Sequence, residues 1–318
     1  MPDVYQIMRE YQRRLSKHET AEMLAMAKRW AVVEKRLGVY FDALIDEIAR
    51  EGVKTDAQIF RLYRYQELAG VASDEIAQYE LWAGERIRRE QMRALNLGFE
   101  AAVRTAYGDS FFAPMIDRAA VANMVGACAD GAPLFSVLKQ RAIAPQAVEG
   151  LTNALIEAVA LGYGPRKTAR FMAHGLALGL DKALLIARTE QIRVYREATR
   201  AGYSQMGVTE YQRHCALSDR TCPVCLALDG KIYKTDTMMH SHPGCRCFMT
   251  AIVRGQTYPA RAQDWFAKLP AARQKQILGP GHYNLYQGGM SLEEMVRTRN
   301  DPVWGPGLAL RSVKSLAG

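Results

Sequence analysis

The sequence predicts a mainly α-helical protein with a small β element, an α+β fold. Between Pro2 and Pro114 the chain has no proline, so long helices can run there without interruption. Apolar residues recur at alternating spacings of three and four over the same stretch, which places them along one helix face. After Gly207 the pattern changes to one typical of short strands. We therefore expect long N-terminal helices, a helical core, a small β-hairpin module and an extended C-terminal tail.

Composition sets the class of protein. The chain has 318 residues, of which 49% are hydrophobic and 24% charged, as in ordinary soluble globular proteins. This length is enough for two or three domains. Charged residues from Arg9 onward interrupt the N-terminus before any apolar run, so we expect no signal peptide. No stretch reaches the roughly 18 apolar residues that a membrane helix needs, and we expect no membrane partner.

The first predicted segment, residues 1–112, is an arm or bundle of long helices. One apolar stripe runs over residues 23–44 and a second over residues 62–83, and each marks a buried helix face. Between them, Thr55 or Asp56 suits the N-cap of the second helix. The aromatic residues in these stripes are interpreted as packing rather than as a ligand site.

The densest basic patch of this arm contains four arginines, Arg86, Arg88, Arg89 and Arg93. The simpler interpretation is a solvated helix face, and the alternative is contact with phosphate groups. The formal net charge of +9 agrees with an anionic partner such as DNA, although such a charge also aids solubility. These four residues are therefore candidate contacts for double-stranded DNA, independent of its sequence.

The second predicted segment, residues 113–255, follows a break that contains Phe111, Phe112 and Pro114. A further break is predicted at residues 130–133, a helix from Gln146 to Gly162, and another break near residues 175–179. A long amphipathic helix then begins at Asp181 and ends near Gly207.

This helix carries the sequence Arg188-Thr189-Glu190. We interpret Arg188 and Glu190 as a buried pair that fixes the helix against the following hairpin. A catalytic role for Glu190 is the alternative, but no base or nucleophile stands at a recognisable spacing.

Three short strands are predicted after the helix, at residues 208–215, 231–234 and 247–253. The Asp229-Gly230 pair is a turn signal for a hairpin. Together they form a small sheet beside the long helix.

Cysteine and histidine residues cluster in this β region. Five of the six cysteines lie between Cys215 and Cys247. The C-x2-C and H-x2-C spacings are typical of a zinc site, and the candidate ligands are Cys222, Cys225, His242, Cys245 and Cys247. A tetrahedral site takes four of them, and His242 and Cys247 compete for the fourth position. Enough ligands are present to close the site, which favours a structural zinc ion. A disulfide pair or unliganded thiols are the alternatives.

Three sequence motifs occur here in a fixed order. They are Arg188-Thr189-Glu190, then Cys222-Pro-x-Cys225 followed by Leu228-Asp229-Gly230, then His242-Pro-x-Cys245-Arg246-Cys247. Residues 140–253 thereby resemble the phage Mu F-like minor head proteins, also called head morphogenesis proteins. The resemblance makes Arg188, Glu190, Asp229, Gly230 and Arg246 motif residues.

The resemblance implies a structural minor capsid protein of a tailed phage, present in low copy and without enzymatic activity. It implies partners in the portal protein and in capsid or scaffold proteins, with packaged DNA as a further partner. The implied location is the virion, at the head interior or the portal vertex, after assembly in the host cytoplasm.

The alternative functions are a zinc-dependent DNA-binding protein and a nuclease. Nucleases built on such hairpins need an asparagine ahead of the last ligands, and none occurs between Asn153 and Asn284. His214 also lacks a preceding acidic neighbour. The stretch after Val253 is too short for the ADP-ribosyltransferase domain that larger, similar proteins carry.

The third predicted segment, residues 256–318, is a tail punctuated by proline and glycine. Short helical pieces are expected at residues 262–268, 271–278 and 292–298. Its aromatic residues could anchor it on a partner or on the chain itself: Trp265, Phe266, Tyr283, Tyr286 and Trp304.

Overall fold

The computed structural model describes residues 3–108, 117–128, 131–139, 143–218, 220–301 and 305–317. The described chain is mainly helical, with one three-stranded and one two-stranded antiparallel sheet, so the predicted fold class is confirmed. Phe111, Phe112, Pro114, Trp304 and the predicted boundary after residue 112 lie outside these residues, as does part of the predicted break at residues 130–133.

The helices of the first two thirds of the chain are α1 (Val4–Glu51), α2 (Asp56–Ile59), α3 (Tyr63–Tyr107), α4 (Ala119–Ala122), α5 (Leu134–Val137), α6 (Ile143–Ala160) and α7 (Pro165–Gln205). The predicted N-cap lies at Thr55, whose side chain accepts a hydrogen bond from the Gln58 amide while the Gln58 side chain accepts one from Thr55. This capping box fixes the start of α2.

The remaining elements are β1 (Glu210–His214), α8 (Pro223–Ala227), β2 (Ile232–Lys234), β3 (Phe248–Ala251), α9 (Ala262–Ala267), α10 (Ala271–Leu278), α11 (Pro280–Gln287), β4 (Val296–Asp301), β5 (Gly305–Leu310) and α12 (Val313–Ala317). The three predicted strands are confirmed with narrower bounds. In the described part of the chain, no helix has the combination of length and apolar character that crossing a membrane requires.

The chain forms two compact units, each drawn from separate stretches of sequence. The helical unit comprises His18–Glu90 and Gly126–Arg188, and the second unit comprises Met1–Lys17, Gln91–Val125 and Thr189–Gly318. The division into residues 1–112, 113–255 and 256–318 stays a prediction. It cuts the chain into consecutive segments, whereas the two compact units are defined by contacts between segments that are separate in sequence.

In the helical unit, Trp30 is fully buried and meets Tyr79 edge-on, with ring centroids 4.7 Å apart. The backbones of α6 and α7 also approach each other closely within this unit. A Cβ added to Gly150 would lie 2.3 Å from the Gly175 carbonyl oxygen. The predicted break near residues 175–179 is therefore wrong: its glycines lie inside α7, where their lack of a side chain permits this approach.

The second unit contains both sheets. Its three-stranded sheet has the order β2-β1-β3, with Tyr211 opposite Tyr233 and Arg213 opposite Met249. The α3 and α7 backbones meet where a Cβ added to Gly98 would lie 2.4 Å from the Tyr195 carbonyl oxygen. Arg196 on α7 donates to the Cys247 carbonyl oxygen, which joins α7 to the start of β3.

The C-terminal segment is folded onto the same unit instead of being extended. The helices predicted at residues 262–268 and 271–278 are confirmed as α9 and α10. The helix predicted at residues 292–298 is wrong, because Val296 begins the β4–β5 hairpin. Pairing with a strand farther along the chain overrides the helical spacing. Phe266 and Met295 are fully buried in a core shared with the cysteine region.

Candidate metal centre

The first two candidate ligands lie on a tight knuckle. Cys222 is the N-cap of α8, and its Sγ accepts a hydrogen bond from the Cys225 amide at 3.4 Å. Pro223 occupies the first helical turn, where a missing N–H costs nothing. The knuckle therefore directs both sulfur atoms to one side, as the C-x2-C spacing predicts.

His242 faces this knuckle from a separate loop. Its Nδ1 donates to the Pro243 carbonyl oxygen at 2.9 Å, since a carbonyl can only accept. Its Nε2 lies 3.0 Å from Cys222 Sγ and 3.2 Å from Cys225 Sγ. A hydrogen bond at one ring nitrogen commonly orients the other towards a metal ion.

Cys245 and Cys247 complete the cluster. Cys245 Sγ lies 3.6 Å from Cys225 Sγ. The potential ligand atoms form two overlapping triads, Cys222–Cys225–His242 and Cys225–Cys245–Cys247, and within each triad they lie within 4.8 Å of one another. All five residues predicted as ligands are therefore brought together.

These distances fit a small tetrahedral ion. Zinc bonds of about 2.3 Å to sulfur and about 2.0 Å to nitrogen imply sulfur–sulfur separations of about 3.8 Å and sulfur–nitrogen separations of about 3.5 Å. The separations of 3.6 Å and 3.0–3.2 Å lie slightly below these values. The cavity beside the cluster has a volume of about 20 Å³, which accommodates one ion or one water molecule.

The sulfur and imidazole groups share protons in this cluster. Hydrogen bonds from Cys225 and His242 lower the pKa of Cys222 to about 5. Burial acts to lower the pKa of His242, but hydrogen bonds with Cys222 and Cys245 outweigh it and raise this pKa to about 11. Hydrogen bonding with Cys225 holds the pKa of Cys245 well below its ordinary value. A bound metal ion would replace the shared protons, so binding would release protons.

A fifth thiol, absent from the predicted ligand set, borders the cluster. Cys215 is buried, and hydrogen bonding with Cys247, together with burial, raises its pKa. The Cys215 amide donates to Asp229 Oδ1 at 2.6 Å. Its place in the cysteine-rich window is a sequence signal that it belongs to the cluster. Its spacing, however, matches neither the C-x2-C pair nor the H-x2-C pair.

Two arginines of the cluster were also not predicted. Arg196 on α7 and Arg213 on β1 are buried, and each reaches the sulfur atom of Cys245. Arg196 is far from the cysteines in sequence and carries no local signal. Arg213 is adjacent to the cysteine window but resembles an ordinary polar residue of a strand.

Asp229 and Gly230 lie in the turn that leads into β2. The Asp229 carboxylate accepts hydrogen bonds from three amides, those of Cys215, Arg261 and Ala262. Gly230 has a φ of +82°, and an added Cβ would lie 2.6 Å from Ala260 Cβ. This motif therefore fastens the start of the C-terminal segment to the cysteine region.

The interpretation of Arg188 and Glu190 as partners of one another is wrong. Residues two apart on a helix do not face each other. Arg188 forms an ion pair with Glu19 within the helical unit. Glu190, in the second unit, forms one with Arg193, one turn along α7.

Thr189 and Arg246 each accept a hydrogen bond from a distant part of the same unit. Thr189 accepts a hydrogen bond from the Gly244 amide at 2.9 Å, which ties α7 to the His242 loop. The Arg246 carbonyl oxygen accepts a hydrogen bond from the Gln12 side chain.

The four candidate DNA contacts differ in their surroundings. Arg86 pairs with Glu22 at 2.7 Å, and Arg88 pairs with Glu85 at 2.9 Å, as on a solvated helix face. Arg89 and Arg93 are exposed. DNA contact by these residues stays a prediction.

His214 packs in the core. It is buried, its Nε2 lies 2.8 Å from Thr250 Oγ1, and its ring contacts Tyr5 and Phe248. Burial lowers its pKa to about 4. The ring therefore has a packing role that fits poorly with service as a solvent-facing base.

A comparison with known protein families finds a match in this region. Residues 149–250 match the family described as Phage Mu protein F like protein. The matched range contains the three motifs and the whole candidate metal centre. The predicted resemblance to phage Mu F-like head morphogenesis proteins is confirmed over these residues. No curated protein and no solved structure gave a significant match.

Proposed function

We propose that this protein is a structural minor head protein of a tailed phage. The observation that carries the proposal is the family match over residues 149–250, which coincides with the candidate metal centre. In this proposal the protein is present in low copy in the virion, at the head interior or the portal vertex. Its role is assembly, and we assign it no chemistry.

The proposed cofactor is one structural zinc ion. Cys222, Cys225 and Cys245 would hold it, together with His242 or Cys247. Support comes from the separations between the sulfur and nitrogen atoms and from a cavity with room for one small ion. A closed site of this kind supplies folding energy instead of a reactive position.

The proposed partners are the portal protein and capsid or scaffold proteins, with packaged double-stranded DNA as a further, sequence-independent partner. The family match supports capsid-related partners. The net charge of +9 and the exposed Arg89 and Arg93 support contact with DNA.

Quantitative proteomics of purified procapsids and virions tests this function. We expect the protein in both particles, at a copy number comparable to that of the portal and far below that of the major capsid protein. Its absence from procapsids and virions would contradict the proposal. Sequence-specific binding to short duplexes by a protein absent from particles would instead favour a free DNA-binding function.

A further inference from the structure

Two buried guanidinium groups lie against the cysteine cluster. Arg213 is fully buried, and its Nη2 lies 3.5 Å from Cys247 Sγ and 3.8 Å from Cys245 Sγ. Its Nη1 donates to the His240 carbonyl oxygen at 2.7 Å. Arg196 is 3% exposed, and its Nη2 lies 3.2 Å from Cys245 Sγ.

Arg196 also fixes the backbone that carries these two cysteines. Its Nε donates to the Cys247 carbonyl oxygen at 2.8 Å, and its Nη2 donates to the Cys245 carbonyl oxygen at 3.0 Å. One side chain of α7 therefore holds the backbone of both cysteines and places a positive charge against Cys245 Sγ.

The neighbouring arginines of α7 have carboxylate partners instead. Arg193 pairs with Glu190 at 2.6 Å, and Arg200 pairs with Glu197 at 2.8 Å. Among the described residues, Arg196 and Arg213 form no ion pair with a carboxylate. Cysteine sulfur atoms lie against their guanidinium groups instead. A buried cation is costly unless an anion lies against it, so these two residues point to negative charge on the cluster.

Charge arithmetic identifies the source of that negative charge. One divalent ion with three thiolates and His242 has a net charge of −1, and with four thiolates it has a net charge of −2. Metal-bound thiols are deprotonated, so the two guanidinium groups balance the charge of the four-thiolate site and exceed that of the three-thiolate site by one unit. A second divalent ion on the Cys225–Cys245–Cys247 triad would instead add positive charge beside two buried cations.

We propose that Arg196 and Arg213 are positioning residues of a one-ion metal centre, which hold Cys245 and Cys247 and supply the counter-charge for its thiolates. The inference rests on the proposed zinc site and concerns the residues that surround its ligands. The guanidinium N–H groups stabilise the sulfur ligands in the way that outer hydrogen bonds tune other metal sites.

The test is metal binding by the full-length protein carrying Arg213→Met, Arg196→Met or Arg213→Lys. Arg200→Met is the matched control, because it removes an arginine of the same helix whose partner is the Glu197 carboxylate. Zinc affinity is measured by competition with a chromophoric chelator. Cobalt(II) substitution then reports the sulfur-to-metal charge-transfer band, which a purely structural role would not move.

We expect each methionine variant to weaken zinc binding about 10–100-fold, the cost typical of outer-layer substitutions. Arg213→Lys should lose less, because it keeps the charge, and it serves as the test if Arg213→Met does not fold. The charge-transfer band should move to longer wavelength as the sulfur atoms lose their N–H donors. Arg200→Met should change neither quantity.

Unchanged affinity and an unchanged band in all three variants would overturn the role of the arginines while leaving the zinc site intact. Two zinc ions per chain in the unmodified protein would overturn the one-ion centre. A protein that binds no zinc would refute the metal centre itself, and with it this inference. Each of these results is independent of whether the protein enters phage heads.

Discussion

The Glu190 carboxylate is fully buried and forms an ion pair with Arg193 at 2.6 Å, one turn farther along α7. Removing one member of a buried pair leaves the other charge without compensation. We expect Glu190→Gln to lower the free energy of unfolding by about 3 kcal/mol, as measured by urea denaturation.

Glu85→Gln is the matched control, because Glu85 pairs with Arg88 at a similar distance on an exposed surface. Exposed pairs contribute about 0–1 kcal/mol. Equal effects of the two substitutions would contradict the structural role of Glu190. A stable Glu190→Gln protein that had lost an enzymatic turnover would point to catalysis instead.

The close approach of α3 and α7 gives a second prediction. An alanine at position 98 would place its Cβ 2.4 Å from the Tyr195 carbonyl oxygen. Overpacking of this kind typically costs about 1–3 kcal/mol, so Gly98→Ala should lower the urea midpoint. Gly70→Ala on the same helix meets no atom within 4 Å and should raise stability by about 0.5–1 kcal/mol. Effects of the same sign at both positions would contradict this packing.

Local spacing accounts for what the sequence predicts correctly. The long helices follow from apolar periodicity, and the five candidate ligands follow from C-x2-C and H-x2-C spacing, because both signals lie within a few residues. The role of Arg196 depends on contacts with Cys245 and Cys247, far along the chain, so no local pattern announces it. The sequence alone predicts a helix break near Gly175. The glycine is instead needed for close packing, and its partner, Gly150, lies on another helix.

The pH dependence of stability gives a third prediction. The pKa of His214 is about 4 in the folded protein, mainly because burial disfavours the charged ring, and about 6.5 when unfolded. The unfolded chain therefore binds more protons between these values, and stability falls as pH falls. From pH 7 to pH 5 the loss from this group is about 2 kcal/mol.

His214→Gln removes this proton uptake. The variant should therefore lose about 2 kcal/mol less than the unmodified protein over the same pH interval. Groups of the metal centre titrate in both proteins, so the difference between the two isolates His214. Identical pH dependence in both would show that the ring is not buried in its neutral form.

Contact with DNA gives a fourth prediction. Each phosphate contact releases counterions, so binding to double-stranded DNA should weaken steeply with salt and be independent of sequence. Arg89→Gln and Arg93→Gln should each reduce the slope of log affinity against log salt by about 1. Arg36→Gln, whose arginine already pairs with Glu75 at 2.8 Å, should leave the slope unchanged. If Arg89→Gln and Arg93→Gln do not alter the slope, neither residue contacts phosphate.

The metal content of the full-length protein, purified without added metal, tests the proposed centre most directly. Elemental analysis should find about one zinc ion per chain, as a single tetrahedral site requires. Cys222→Ala should lose the ion and, because binding energy is folding energy, destabilise the unit that contains the cluster. A protein without metal, in which all five thiols between Cys215 and Cys247 react freely with a thiol reagent, would contradict the account.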